Sequence, residues 1–87
     1  WGGEEFLIML PNTSLQKGYQ LVERVREKVA SERILIGDHE LSLSISCGIC
    51  STRFFSRFGD LIKAADISLY EAKAQGRNCT RPELKEA

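Results

Sequence analysis

The order of apolar and polar positions divides the chain into a strand, a helix, a hairpin and a second helix. Residues 6–10 are apolar at every position, which is typical of an interior strand covered on both faces. Pro11 ends this strand. Thr13, with Gln16 three residues later, fits a capping box and predicts the start of a helix that runs to about residue 31.

The first helix is amphipathic, with one apolar stripe and one charged face. The stripe recurs at helical spacing and contains Leu15, Val22, Val25 and Val29, with Tyr19 and Leu21 alongside. The other face carries Lys17, Gln20, Glu23, Arg24, Glu27 and Lys28. We therefore expect one buried stripe, with the charged face turned away from it.

A hairpin is predicted after the first helix. Residues 33–36 are predicted to form a short apolar strand, and residues 37–40 contain the residue types that favour a turn. Residues 41–50 are predicted to return as the second strand. Along the return strand, apolar side chains alternate with Ser, Gly and Cys, so one face is apolar and the other is small and polar. Small residues there allow a helix or a ligand to approach the backbone closely.

The second helix is marked by apolar residues at spacings of three and four. Asp60 in its first turn and Lys73 in its last turn suit the helix dipole. Gly76 is placed as the left-handed cap. The apolar positions are Phe58, Leu61, Ile62, Ala65, Leu69 and Ala72.

The segments on either side of the second helix are predicted to be less regular. Residues 51–59 form a loop, in which we expect Phe54 and Phe55 to pack under the helix; a partner surface is the alternative. The polar tail, residues 79–87, contains Pro82 and predicts a short strand followed by fraying.

These elements predict an α/β (α+β) fold in which two helices cover a sheet. The chain starts at Trp1 instead of Met, so we expect that it was cut from a longer protein. The strand over residues 6–10 has no evident partner, and an apolar strand left at an edge tends to pair with another copy. We therefore expect the chain alone to fold in part and to self-associate.

Composition narrows the class of protein. The 87 residues are enough for one small domain, and 43% apolar with 28% charged residues is ordinary for a soluble globular protein. Twelve basic and twelve acidic residues balance, which gives no electrostatic reason to expect nucleic acid as a partner. Three cysteines, no apolar run of membrane-spanning length and no signal peptide together indicate the cytoplasm.

Two short segments carry candidate chemistry. Gly2 and Gly3 allow a tight turn that phosphates can approach, and Glu4 and Glu5 beside them are oxygen ligands suited to Mg²⁺. A solvated acidic hairpin tip is the alternative interpretation.

The other segment lies at the end of the second helix. Lys73 and Arg77 lie close in sequence and together suit a phosphate chain, because Arg offers a fork of donors and Lys a point charge. The alternative is that these cations only stabilise the helix C-terminus.

Three motifs in order resemble the GGDEF family of bacterial diguanylate cyclases. Gly2-Gly3-Glu4-Glu5-Phe6 matches the signature in its GGEEF form, and Ser46-Cys47-Gly48 matches a later strand. Residues 65–78, ADISLYEAKAQGRN, are similar to the pattern of the family's last helix. The resemblance covers residues 1–78 and corresponds to the C-terminal half of the domain. It implies a partial sheet like those of nucleotide cyclases and of the polymerase palm.

The resemblance also implies an activity and roles for residues. Active members condense two GTP molecules into cyclic di-GMP, with one GTP on each domain of a homodimer and with Mg²⁺ or Mn²⁺ as cofactor. Glu4 and Glu5 would then be the catalytic metal ligands. The signature glycines Gly2 and Gly3 would leave room for the phosphates, which Lys73 and Arg77 would bind.

The family's remaining functional residues would precede Trp1. They are a metal-binding Asp, the Asn and Asp that bind guanine, and an inhibitory Arg-x-x-Asp motif. We therefore expect the chain alone to be inactive, within a parent protein that a preceding region could anchor to a membrane. The alternative is a catalytically degenerate module that responds to GTP or cyclic di-GMP, or that dimerises.

Two further features are given no function. Cys47 and Cys50 spell C-x-x-C, but residues three apart on a strand point to opposite faces and cannot share a metal or form an easy disulfide. His39 lies in a predicted turn with no second metal ligand nearby, so we interpret it as exposed polar filler.

Overall fold

The computed structural model describes residues 4–84 and has an α+β fold. These residues contain two helices and four short strands, and the strands form two separate two-stranded sheets. A 3-10 turn at Thr52–Phe54 precedes the second helix. The elements in chain order are α1 (Leu15–Ser31), β1 (Ile34–Ile36), β2 (His39–Leu41), β3 (Cys47–Gly48), α2 (Phe58–Ala74) and β4 (Thr80–Arg81).

The prediction of a strand over residues 6–10 is wrong for this structure. No strand is assigned there, and Phe6, Ile8 and Met9 are 88%, 76% and 68% exposed. The physical reason is that a strand is stabilised by a hydrogen-bonded neighbour, and no strand within residues 4–84 pairs with this segment. Leu10 is less exposed, because its side chain packs toward Gly18 of α1.

Helix α1 begins one residue later than the capping box predicts. Ser14, in extended conformation, is the N-cap, and its Oγ accepts a hydrogen bond from the Lys17 amide at 3.2 Å. The Thr13 hydroxyl instead donates to the Pro11 carbonyl at 2.9 Å, so it is already engaged in the preceding turn. The end of the helix near residue 31 is confirmed.

The hairpin is confirmed, but it is shorter than predicted. Strands β1 and β2 pair antiparallel with Ile34 opposite Leu41, and only Gly37 and Asp38 form the turn between them. Gly37 has a φ of 61°, which glycine adopts without strain. His39 therefore does not lie in the turn. It is the first residue of β2 and pairs with Ile36 of β1. All six strand residues are exposed.

The return strand predicted over residues 41–50 is broken into two pieces. Only β2 and the two residues of β3 are strands, and β3 leaves the hairpin to pair in parallel with β4. Helix α2 connects β3 to β4, and a helical crossover of this kind is what parallel pairing requires. The core therefore lies under α2 and not under the hairpin, with Ala72 and Thr80 fully buried.

Close contact between α2 and β3 depends on Gly48. A Cβ at this position would clash with the Ala65 carbonyl oxygen and the Leu69 amide, and would lie 2.9 Å from the Leu69 Cα. This confirms the prediction that small residues in the return strand allow a helix to approach. Of the two loop aromatics, Phe55 lines a hollow against α2, whereas Phe54 is 66% exposed and does not pack as predicted.

The tail begins with ordered structure. The short strand predicted there is present as β4, and the Cys47 and Ile49 amides donate to the Cys79 and Arg81 carbonyls at 2.9 Å each. The fraying expected toward residue 87 falls partly on residues 85–87, which lie outside the described part. No helix within residues 4–84 combines the length and the hydrophobicity that crossing a bilayer requires.

Candidate functional site

Two candidate segments that are far apart in sequence meet in space. The Lys73 Nζ lies 3.2 Å from the Glu5 Oε2, across a separation of 68 residues. The side chains are 32% and 33% exposed, so the pair is at the surface but partly shielded. A carboxylate of the signature and a cation of the last helical turn thus share one surface of the molecule.

Lys73 is placed by the end of α2. Asp60 and Lys73 lie in the first and last turns, as predicted. Gly76 has a φ of 108° and acts as the predicted left-handed cap. The Arg77 amide donates to the Ala72 carbonyl, five residues earlier, at 3.0 Å. This 6→1 hydrogen bond is the mark of a Schellman motif at the end of a helix.

Arg77 differs from Lys73 in its side-chain contacts. It is exposed, and its guanidinium makes no hydrogen bond or ion pair with any residue of the described range 4–84. Its backbone lies in the left-handed region, with a φ of 63°. Of the two predicted phosphate-binding cations, one is therefore held by a carboxylate and the other is open to a ligand.

The acidic end of the site is described only in part. Glu4 is exposed in a turn and Glu5 is half-buried. Gly2 and Gly3, predicted to make room for phosphates, lie outside the described residues. No group of three or more His, Cys, Asp or Glu able to hold a metal occurs within residues 4–84. Two carboxylates nevertheless fit Mg²⁺, which binds one or two carboxylates together with water and substrate phosphates.

A polar network that sequence analysis did not single out ties α1 to the end of α2. Arg26 donates through Nε to Glu23, and through Nη1 to the carbonyl and the Oδ1 of Asn78, at 3.1 and 2.9 Å. Glu23 also accepts from the Thr80 hydroxyl at 3.2 Å and from the Tyr19 hydroxyl at 3.3 Å. Glu23 therefore faces β4, although its sequence position places it on the charged face.

The network sets the charge state of Glu23. Burial acts to raise the pKa of this carboxyl, but hydrogen bonds from Arg26, Thr80 and Tyr19 and the Arg26 charge outweigh it. The pKa of Glu23 consequently lies below its ordinary value. The spacing of Glu23 and Arg26 by three residues is a sequence signal for a helical ion pair. Their partners, more than 50 residues away, have no such signal.

The cysteines take no part in the site. All three are free. Burial raises the pKa of the Cys47 and Cys50 thiols, which disfavours the reactive thiolate.

The fold and the site define a class of protein. It is an α+β domain in which a carboxylate near the start of the chain, Glu5, lies beside a lysine at the end of a helix, Lys73. A family model described as "Diguanylate cyclase, GGDEF domain" matches residues 1–79. The chain belongs to the GGDEF family.

Curated proteins similar to the chain include a diguanylate cyclase. The chain is 37% identical over 79 residues to Diguanylate cyclase A of Treponema denticola, covering 90% of this chain and 21% of that protein. It is 37% identical over 84 residues to Response regulator PleD of Caulobacter vibrioides, covering 90% and 18%. It is 44% identical over 80 residues to YhcK of Bacillus subtilis, covering 88% and 22%. The chain thus spans about a fifth of the length of these relatives.

Proposed function

We propose that this chain contributes part of the active site of a diguanylate cyclase, which condenses two GTP molecules into cyclic di-GMP. The observation that carries the proposal is the 3.2 Å contact between Glu5 of the signature and Lys73 of α2. It brings one carboxylate of the signature and one cation of the last helical turn together, and we infer that their sequence neighbours Glu4 and Arg77 serve the same site. Membership of the family gives that site its expected substrate.

The cations act first in binding. Lys73 offers a point charge and Arg77 a planar fork of donors, and together they bind the β- and γ-phosphates of GTP. Without nucleotide, the Glu5 carboxylate neutralises Lys73 and holds its side chain at the site. A triphosphate would offer Lys73 a more highly charged partner than Glu5, and Glu5 could then help to hold the metal.

The carboxylates act at the reacting end. Glu4 and Glu5 would hold Mg²⁺ or Mn²⁺, since such an ion is commonly bound by one or two carboxylates. When bound, the divalent metal neutralises charge on the phosphates and favours ionisation of the attacking hydroxyl. Gly2 and Gly3 leave the backbone open to the phosphates beside these carboxylates.

The proposed reaction requires more than this chain. The 3′-hydroxyl of each nucleotide attacks the α-phosphate of the other and displaces its pyrophosphate. Two domains, each with one GTP, must therefore face each other in a homodimer. The curated relatives are about five times longer than the matched segment. We propose that the chain works within a longer protein and is inactive alone.

Substitution of Lys73 in the full-length protein tests the proposal. With GTP and Mg²⁺, the unsubstituted dimer should form cyclic di-GMP, and Lys73→Ala should raise the KM for GTP by roughly 10- to 100-fold, since a charge-assisted hydrogen bond contributes about 1.5–3 kcal/mol. Lys63→Ala, an exposed lysine ten residues earlier on α2, is the matched control and should leave KM unchanged.

The outcomes separate the possibilities. A folded dimer that yields no cyclic di-GMP overturns the catalytic proposal. If such a dimer still binds GTP, and Lys73→Ala weakens that binding, the chain belongs to a degenerate nucleotide-responsive module instead.

A further inference from the structure

The turn that carries Arg77 is held in an unusual backbone conformation. Three successive residues have positive φ: Gly76 at 108°, Arg77 at 63° and Asn78 at 49°. The cap of α2 requires this only of Gly76. The left-handed region is unfavourable for a residue with a Cβ, and such conformations persist where the surroundings impose them. Asn adopts this region more readily than other residues with a Cβ, so Arg77 above all needs an external restraint.

The restraint comes from both sides of the turn. Within α2, the Arg77 amide is fixed to the Ala72 carbonyl at 3.0 Å. Beyond Arg77, the Asn78 amide donates to the Ser46 Oγ at 3.2 Å, and both oxygens of Asn78 accept from one nitrogen of Arg26. Asn78 is thus held by Arg26 of α1 and by Ser46, the residue that precedes β3.

Arg26 is itself held in a single orientation. Its side chain is only 14% exposed, and its Nε donates to Glu23 while Nη2 lies 3.7 Å from the Glu27 carboxylate. Glu23 is in turn anchored by the hydroxyl of the fully buried Thr80. A fixed guanidinium fork loses little conformational freedom when it donates to Asn78, so the contact is well suited to positioning.

We propose that Arg26 is a positioning residue for Arg77. By clamping Asn78, it fixes the turn over residues 76–78 and so determines where the Arg77 guanidinium reaches. Arg26 touches no nucleotide and acts only through Arg77. A residue of α1 thus determines the position of a cation that follows α2. The inference rests on the proposed function in one respect, which is that the ligand of Arg77 is a phosphate of GTP.

The kinetic test is a double-mutant cycle in the full-length protein. Arg26→Gln should raise the KM for GTP about tenfold with little change in kcat, because binding of a phosphate in the ground state is weakened. Arg26→Lys keeps the charge but replaces the planar fork by a single donor nitrogen, so the rise should be about threefold. In an Arg77→Ala background, Arg26→Gln should add nothing to the KM, since residues that act through one another are not additive.

The control is Arg33→Gln, which removes another arginine from an ion pair. Arg33 lies 3.1 Å from Glu40 at the hairpin and is 59% exposed, and its loss should leave KM unchanged. The proposal is overturned if Arg26→Gln lowers Tm without changing KM, which would indicate a structural role alone. It is also overturned if the KM effect persists in the Arg77→Ala background.

Amide hydrogen exchange tests the positioning without requiring catalysis. Arg26→Gln should speed exchange of the Arg77 and Asn78 amides about tenfold, whereas exchange in the middle of α2 should be unchanged. Unaltered exchange at both amides overturns the proposal. If the unsubstituted protein neither binds GTP nor forms cyclic di-GMP, the proposed function fails, and the exchange result alone decides the role of Arg26.

Discussion

Burial differs sharply between two regions, the segment over residues 6–9 and the unit formed by β3, α2 and β4. The first is four consecutive large apolar residues, of which three are more than two-thirds exposed. In the second, strands of only two residues each are secured under a helix, with Ala72 and Thr80 fully buried. The segment with the stronger hydrophobic pattern is the less buried of the two.

The difference is the presence of a hydrogen-bonding neighbour. Cys47 pairs with Thr80, and α2 spans the distance between them and covers the pair. Residues 6–9 have no such strand within the described range 4–84. Hydrophobicity is a property of each residue, whereas burial depends on a partner surface.

The largest change in stability is expected from a substitution at Gly48, because it disrupts the packing of α2 on β3. Gly48→Ala places a methyl group against the backbone of Ala65 and Leu69, which cannot move aside as a side chain can. We expect the free energy of unfolding to fall by about 3 kcal/mol, at the upper end for overpacking a core. Urea denaturation measures this, and an unchanged midpoint would contradict the packing of α2 on β3.

Gly18→Ala is the matched control. An added Cβ there meets only the Leu10 and Thr13 side chains, at 3.6 and 3.8 Å, which is ordinary contact. Because alanine favours the helix over glycine, this variant should be more stable by about 0.5–1 kcal/mol. The same substitution should therefore have opposite effects at the two glycines.

The second largest change in stability is expected at Glu23, which attaches α1 to β4 through the Thr80 hydroxyl. The pKa of Glu23 is lowered in the folded state, so its stabilising contribution is complete above the ordinary value of 4.5 and is lost as the pH falls through the folded value. Glu23→Gln should lower the free energy of unfolding by about 1.5 kcal/mol at pH 7, with the difference shrinking below pH 4.5.

Glu27→Gln serves as the control for Glu23. Its carboxylate is 71% exposed and lies 3.7 Å from Arg26, so the change should be within about 0.5 kcal/mol. A difference between Glu23→Gln and the unsubstituted chain that does not depend on pH would contradict the charged network.

Local patterns in the sequence predict that the helices exist, but not that their apolar stripes are buried, since Leu21 and Val25 of α1 are 40% and 48% exposed. The C-terminal ends of α1 and α2, and the cap at Gly76, follow from apolar periodicity and from residues with strong backbone preferences.

The two motifs identify Glu5 and Lys73 as candidate site residues, but no local pattern predicts that they contact each other directly at 3.2 Å. What sequence analysis missed depends on distant contacts, such as the parallel pairing of Cys47 with Thr80.

The same limit applies to Glu23. A helical wheel assigns it to the charged face, and only the return of β4 beside α1 makes it an acceptor for the buried Thr80 hydroxyl. The shift of the N-cap from Thr13 to Ser14 is a smaller case. Both hydroxyls are chemically suitable, and the turn at Pro11 decides between them.

The smallest expected effect on stability, and the sharpest contrast, comes from residues 6–9. Phe6→Ser with Ile8→Ser replaces side chains that are 88% and 76% exposed, so the free energy of unfolding should change by no more than about 0.5 kcal/mol. We propose that this apolar segment drives self-association of the chain. Sedimentation should then show oligomers for the unsubstituted chain and a shift toward monomer for the variant. A well-ordered monomer of the unsubstituted chain at every concentration would contradict this role, and it would mean that four exposed apolar residues do not suffice to recruit a neighbour.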